Sequence, residues 1–172
     1  MDASSYTVTE ALRDGSRIEI RALRPTDRDE LQSAVGRMSD ESIRRRFFAP
    51  KRHFSEQEIE FYVNVDFVNH VALAAVLHVD ERAVIVGGGR YIVIAPGVAE
   101  VAFGIDDAHQ GRGLGALLMK HLIAIARDGG LRQLVAEVLP GNAAMLSVFK
   151  KAGLQMTTKH ESGVVHVTLH LP

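Results

Sequence analysis

The sequence predicts one mixed α/β domain. Three observations lead there. Apolar segments of strand length and amphipathic segments of helix length follow one another along the chain, with no linker, repeat or low-complexity stretch between them. The length, 172 residues, suits a single hydrophobic core. The stretch VAEVAFGIDDAHQGRGLGALLMKHL, residues 98–122, runs from a strand through a glycine cluster into an apolar helix.

The elements follow in order. RIEIRALRP (17–25) alternates and stops at Pro25, so it is a strand; residues 1–16 before it read as an N-terminal extension and 17–172 as the domain. Thr26 is placed to cap a helix over 26–38 with acids in its first turn. SDESIRRRFF (39–48) is a second short helix, halted by Pro50. Ser55 and Glu58 make a capping box for SEQEIEFYVN (55–64). The runs 71–79 and 82–95 are strands joined by a tight Asp80-Glu81 turn, and Gly87, Gly88 and Gly89 inside the second predict a bulge. Pro96-Gly97 turns the chain into the strand 98–105. A helix over 113–127 ends at Gly129-Gly130. The strand 131–139, a helix over 142–153 with Asn142 as N-cap, and a hairpin around Gly163 complete the chain.

Composition excludes several chemistries. There is no cysteine, so disulfides, thiolate metal sites and a cysteine nucleophile are absent. The net charge of −1 does not suit nucleic acid or acidic lipid as a general partner. The N-terminus MDASSYTVTE lacks the basic and apolar regions of a signal peptide, and no apolar run approaches the roughly 18 residues of a membrane helix. A cytoplasmic protein is the expectation.

Gly111, Gly113 and Gly115 let the backbone turn sharply and bring amide N–H groups close to a ligand. The following helix adds the positive end of its dipole, and together they suit a pyrophosphate. Its Leu114, Leu117, Leu118, Leu122 and Ile125 share one face, so burial anchors it. The same letters fit the dinucleotide fingerprint, with Glu137 where that motif wants an acid. The five residues DDAHQ between strand and first glycine, and the want of further βαβ units, count against it. No GK[ST] follows, which excludes a P-loop. A helix start with incidental glycines is the plain alternative. In the strand, Ala99, Val101, Phe103 and Ile105 form one face and Glu100, Ala102 and Gly104 the other. An acid beside two minimal side chains leaves the space that a cleft needs; a surface glutamate on a half-exposed sheet is the bland reading.

These residues resemble the acetyl-CoA motif of the GCN5-related N-acetyltransferases (GNAT). The signature Q/R-x-x-G-x-G/A is present as Gln110-Gly111-Arg112-Gly113-Leu114-Gly115, and the preceding AEVAF strand and Asn142, Phe149, Lys150 and Gly153 of the last helix also match. The resemblance runs from residue 17 onward and is most specific at 98–153. SIRRRFF (42–48) and AEVAFGIDDAHQGRGLG look most like the catalytic domain of Pat-type bacterial protein lysine acetyltransferases. The resemblance implies an α/β GNAT fold: a mostly antiparallel sheet of about seven strands, splayed between 98–105 and 131–139 and flanked by about four helices. It implies acetyl-CoA as cosubstrate, no metal, and a primary amine as acceptor, first a protein lysine. A small-molecule amine, or a non-catalytic acyl-CoA sensor, is the alternative. A monomer or homodimer is expected, with an edge strand such as 164–171 free to pair between chains.

The resemblance also implies roles. The backbone of Phe103, Gly104 and Ile105 pairs with the pantetheine arm. Amides from Gln110 through Gly111, Arg112, Gly113, Leu114 and Gly115 to Ala116 hold the pyrophosphate, Arg112 adding charge. Asn142 and Phe149 line the far side. The acceptor must shed a proton: a lysine pKa near 10.4 costs about 4.6 kcal/mol at pH 7, so Glu100 is the candidate base, directly or through a water. With no cysteine, direct attack in a ternary complex is the route. Phe149 stands where many relatives carry a tyrosine as general acid, with Ser147 a poor substitute.

Other features have bland readings. RRRFFAPKRH (44–53) would suit nucleic acid, but a solvated helix face with Phe47 and Phe48 turned inward fits the acidic balance elsewhere; a third use, guiding an acidic protein substrate or the cofactor's phosphate, is compatible with the family resemblance. His166 and His170 share a strand face without a third metal ligand. His109, just before the glycine turn, is placed to assist a proton relay, with a plain loop residue as the bland reading.

Overall fold

The computed structural model describes residues 1–48 and 53–172. Pro50, and most of the basic stretch beyond Phe48, lie outside the described residues. The strands are β1 (Thr7–Ala11), β2 (Arg17–Ala22), β3 (His70–Val79), β4 (Arg82–Ala95), β5 (Val98–Ile105), β6 (Gln133–Val138), β7 (Gln155–Glu161) and β8 (Val164–His170). The helices are α1 (Arg28–Gly36), α2 (Asp40–Phe47), α3 (Glu56–Val63), α4 (Leu114–Asp128) and α5 (Ala143–Lys150). One sheet runs in the order β1-β2-β3-β4-β5-β6-β8-β7. Every neighbouring pair is antiparallel except β5 and β6.

The strand beyond the expected seven is β1, from the segment expected to be an extension. It pairs along its length with β2, and Leu12 and Ala3 beside it are buried in the main core. Tyr6 and Glu10 reach the buried His121 of α4 through its Nδ1 and Nε2. Local alternation in TVTEA is too weak to announce a strand, and its burial is decided by what α4 presents.

Thr26 does not cap a helix. Residues Pro25–Asp27 form a 3-10 turn and α1 begins at Arg28, because Asp27 is drawn inward by the buried Arg21 through two bonds of 2.8 Å. Ser55 caps α3 in the expected box with Glu58, and Ser39 caps α2 by accepting from the Ser42 amide. Asp80 and Glu81 both take positive φ, the geometry of a tight hairpin turn. The β3–β4 register slips between Ala75 and Val76, opposite Gly87, which is the expected bulge. The segment 164–171 is not an edge: β8 is bonded on both sides, and the edge is β7, whose exposed Lys159 and Glu161 discourage further pairing.

The sheet carries an apolar cluster on each face. One packs β-strand residues such as Leu73, Val101 and Phe103 against Leu114, Leu118, Leu122 and Ile125 of α4 and Phe149 of α5. The other packs Ala72, Ala74 and Val76 under α1, α2 and α3 through Val35, Ile43 and Ile59. Each buried leucine or isoleucine contributes about 1.5–3 kcal/mol against solvent exposure. No helix among the described residues is long and apolar enough to cross a membrane.

Candidate active site

The parallel pair holds the site open. β5 and β6 are in register only at 98–100 with 133–135, and from Val101 onward they part. On its other side β5 remains paired with β4 up to Ile105. The Asp106 amide donates to the Val86 carbonyl at 2.8 Å, so Gly104, Ala102 and Glu100 exchange main-chain bonds with β4. The main-chain groups of Val101, Phe103 and Ile105 therefore point into the gap. Gly104, expected to offer its backbone there, has it committed to Gly88; what it offers is a missing side chain, with Met38 and Arg46 close above.

The gap opens into a cleft of about 300 Å³. Its floor is β5 at 101–105, and its mouth is the glycine turn and the start of α4. Gly111 and Gly113 sit at φ 76° and 86°, the left-handed region that glycine reaches at least cost. Gly113 is the N-cap, so its successors present unbonded amides to the cleft. A Cβ on Gly115 would lie 3.2 Å from Val148, so its glycine lets α4 approach α5. The Gln110 side chain ties the turn down, donating to the Ile105 carbonyl and Ser42 Oγ, both at 3.1 Å. Asn142 is buried and caps α5 by accepting from the Met145 amide. Phe149 is fully buried against Phe103, ring centroids 6.2 Å apart, and forms the back wall.

The cleft collects Phe103, Gly104, Ile105, Gln110, Gly111, Gly113, Leu114, Gly115, Ala116, Asn142 and Phe149 from the residues the sequence singled out. Glu100 and Arg112 do not line it. Arg112 faces solvent, 3.5 Å from Asp14. Glu100 is exposed on the opposite face of β5, in the row with Ile92 of β4, its charge felt by Arg46 of α2. Sequence reading missed Arg13, Met38, Ser42 and Lys151, which border the cleft beside Arg45 and Arg46 of the basic run it weighed as a guide for phosphate. The four basic residues among them suit a polyanion. The triple arginine of α2 was a visible signal; Arg13 arrives only because the β1–β2 hairpin folds over the glycine turn, its Nε 3.3 Å from the Cβ position of Gly113. His109 also borders the cleft, and its Nδ1 is buried without a hydrogen-bond partner among the described residues.

Above the other face of β5 lies a second, smaller cavity of about 80 Å³, roofed by α1, α2 and α3. Ala102, Gly104 and Arg46 border both spaces. Thus the cleared face of the strand does face a cavity, and the two spaces meet where β5 is thinnest.

Comparison with known proteins agrees with this geometry. The family described as "Acetyltransferase (GNAT) domain" matches residues 17–155. The crystal structure of the GNAT domain of S. lividans PAT superposes with a TM-score of 0.88 at 37% identity, covering 96% of this chain and 97% of that one. Acetyltransferase PA5475 of Pseudomonas aeruginosa is 34% identical over 137 residues, 79% of this chain and 74% of that protein. Acetyltransferase Pat of Mycolicibacterium smegmatis is 27% identical over 163 residues, which are 94% of this chain but 48% of that longer protein.

Proposed function

The chain belongs to the GNAT acetyltransferase family, and on that premise we propose that it transfers an acetyl group from acetyl-CoA to a primary amine in the cytoplasm, with a protein lysine as the foremost acceptor. The observation that carries this reading is the gap between β5 and β6, with main-chain groups of β5 turned into it along one wall and a left-handed glycine turn at its mouth. Acetyl-CoA supplies an activated thioester; binding, orientation and proton removal fall to this chain.

Val101, Phe103 and Ile105 bond an extended amide-bearing arm as a neighbouring strand would. Amides of Gly111, Arg112, Gly113, Leu114, Gly115 and Ala116 receive the pyrophosphate at the N-terminus of α4, with Gln110 holding the turn in shape. Arg13, Arg45 and Lys151 add charge-assisted contacts at the same mouth, and Arg112 extends them outward. Asn142 and Phe149 bound the far side. Glu100 takes the acceptor's proton, directly or through water, from the α2 side of the strand. The outward amides of Phe103 and Ile105 are placed to stabilise negative charge on the carbonyl oxygen. Phe149 has no proton to give, so the thiolate leaves without a side-chain acid, as a thiol pKa near 8.5 allows. The acetyltransferase unit takes in the N-terminal segment, whose β1 is a strand of the same sheet.

The resemblance of SIRRRFF and AEVAFGIDDAHQGRGLG to Pat-type protein lysine acetyltransferases is what favours a lysine acceptor over a small-molecule amine. The test is Glu100→Gln. Turnover of acetyl-CoA with a panel of proteins and small amines, read by intact mass, should fall at least about 100-fold while acetyl-CoA binding survives. Unchanged turnover removes Glu100 as base. Acetyl-CoA binding without acetylation of any amine means a sensor.

A further inference from the structure

The small cavity under α1, α2 and α3 is lined mainly by apolar and minimal groups, yet two arginines enter it. Arg90 comes up from β4 in the row of Ala72 and Ala102. Arg46 comes down from α2 over Gly104, its aliphatic stem 3.8 Å from the glycine's Cβ position. Both side chains are half-buried.

Neither is neutralised. Among the described residues, no Asp or Glu oxygen lies within 4.0 Å of either guanidinium. Arg90 spends Nη1 on the Tyr62 carbonyl at 3.1 Å and on His70 Nε2 at 2.9 Å, and stacks on the Tyr62 ring at 4.6 Å. Its Nη2 and Nε find no acceptor among the described residues. Arg46 lies over the Phe47 ring at 4.7 Å and donates to no described acceptor at all. The histidine brings no counter-charge, since it accepts from Arg90 and burial with that arginine's charge holds its pKa down to about 4. Burial, then the nearness of Arg46, draws the Arg90 guanidinium down to about 9, the mark of a cation in want of an anion. Asp106 borders the cavity too, but its carboxylate accepts from the Ala108 amide and lies 3.9 Å from Arg37 and 3.7 Å from His109. Glu100 influences Arg46 through space without forming an ion pair with it.

A half-buried guanidinium with idle N–H groups costs free energy unless an acceptor arrives, and its planar fork matches a carboxylate. We propose that this cavity is an acceptor subsite, in which Arg90, helped by Arg46, receives a carboxylate that the acceptor carries near its reactive amine. The proposal rests on the acetyl-transfer reading above and refines its acceptor. Ala102 and Gly104, which border both spaces, leave the passage through which such an amine faces the thioester. The carboxylate has two sources with one chemistry: the free carboxyl of an amino acid, or an acidic side chain beside a lysine.

The experiment uses matched acceptors. 5-Aminopentanoate is compared with pentylamine, and blocked Glu-Lys and Gln-Lys peptides with each other. The carboxylate-bearing partner of at least one pair should show about 10-fold or higher kcat/KM, and which pair does so names the source. Arg90→Gln and Arg46→Gln should erase that preference, Arg90→Lys should reduce it, and the KM for acetyl-CoA separates a cleft defect from an acceptor defect. A second arm needs neither turnover nor acceptor: propionate, against chloride at equal ionic strength, should raise the Tm of the wild type and not of Arg90→Lys. Equal rates within both pairs, or no propionate effect on the wild type, overturns the proposal. Failure of every amine with propionate still bound overturns acetyl transfer and leaves an anion site in place.

Discussion

Replacing Gly89 by alanine tests how the two halves of the molecule are joined. Gly89 lies opposite Phe103 in the sheet, on the face covered by α4. A Cβ there would stand 2.7 Å from Phe103 Cδ1, 2.8 Å from its Cε1 and 3.0 Å from Leu122 Cδ1. These are side chains, but neither has room to yield: Leu122 is fully buried and Phe103 leans on the buried Phe149. Overpacking of this kind costs about 1–3 kcal/mol. For a chain of this length, each kcal/mol lowers Tm by about 2–4 °C, so Gly89→Ala should melt about 2–12 °C below the wild type. A displaced Phe103 ring would disturb the cleft it lines, so acetyl-CoA affinity should fall with stability. Differential scanning calorimetry and an acetyl-CoA titration read the two effects. Gly36→Ala at the end of α1 is the control: nothing lies within 4 Å and its φ is ordinary, so its Tm should not fall. An unchanged Tm and affinity for Gly89→Ala would refute the claim that sheet, helix and cleft are locked through this one contact.

Gly113→Ala meets a left-handed φ of 86° and Arg13 Nε 3.3 Å away, so it should cost about 1–2 kcal/mol and raise the KM for acetyl-CoA more than it alters kcat. Arg21→Met leaves the buried Asp27 carboxylate unpaired and should lower stability by about 3 kcal/mol in urea denaturation, while the double variant with Asp27→Leu should recover most of it. Burial opposes the charge on Asp27, but Arg21 and the Arg24 amide outweigh it and hold its pKa below the usual 3.8. Its contribution is thus present above about pH 4 and lost as pH falls further. His70 has the same sign at higher pH: a fall from 6.5 to about 4 on folding is worth roughly 3 kcal/mol, present above pH 6.5 and lost between there and pH 4. His70→Asn should flatten the stability profile across that window. Removing residues 1–13 uncovers His121 and takes Leu12 from the core, so the shortened chain should melt well below the full one.

Much of the fold could be read from the chain because its signals are local. Alternation placed β2 and gave β5 its two faces, the Ser55–Glu58 box announced α3, and the spacing of Gly111, Gly113 and Gly115 marked the turn at α4. Gly111 and Gly113 take a left-handed φ that glycine reaches at least cost whatever surrounds it, and an alternating strand buries every second side chain wherever it lies. Residues 7–11 were missed because an edge strand needs little apolar alternation of its own, and Thr26 misled because a long-range pair, Arg21 with Asp27, outbid a local cap. Only the folded chain decided that β5 and β6 part after 98–100, that Gly104 spends its backbone on β4, that Glu100 stands outside the cleft, and that Arg46 joins Arg13 at the cleft and Arg90 in the smaller cavity. Those facts depend on register and on the packing of distant segments, and neither is written in any single stretch of sequence.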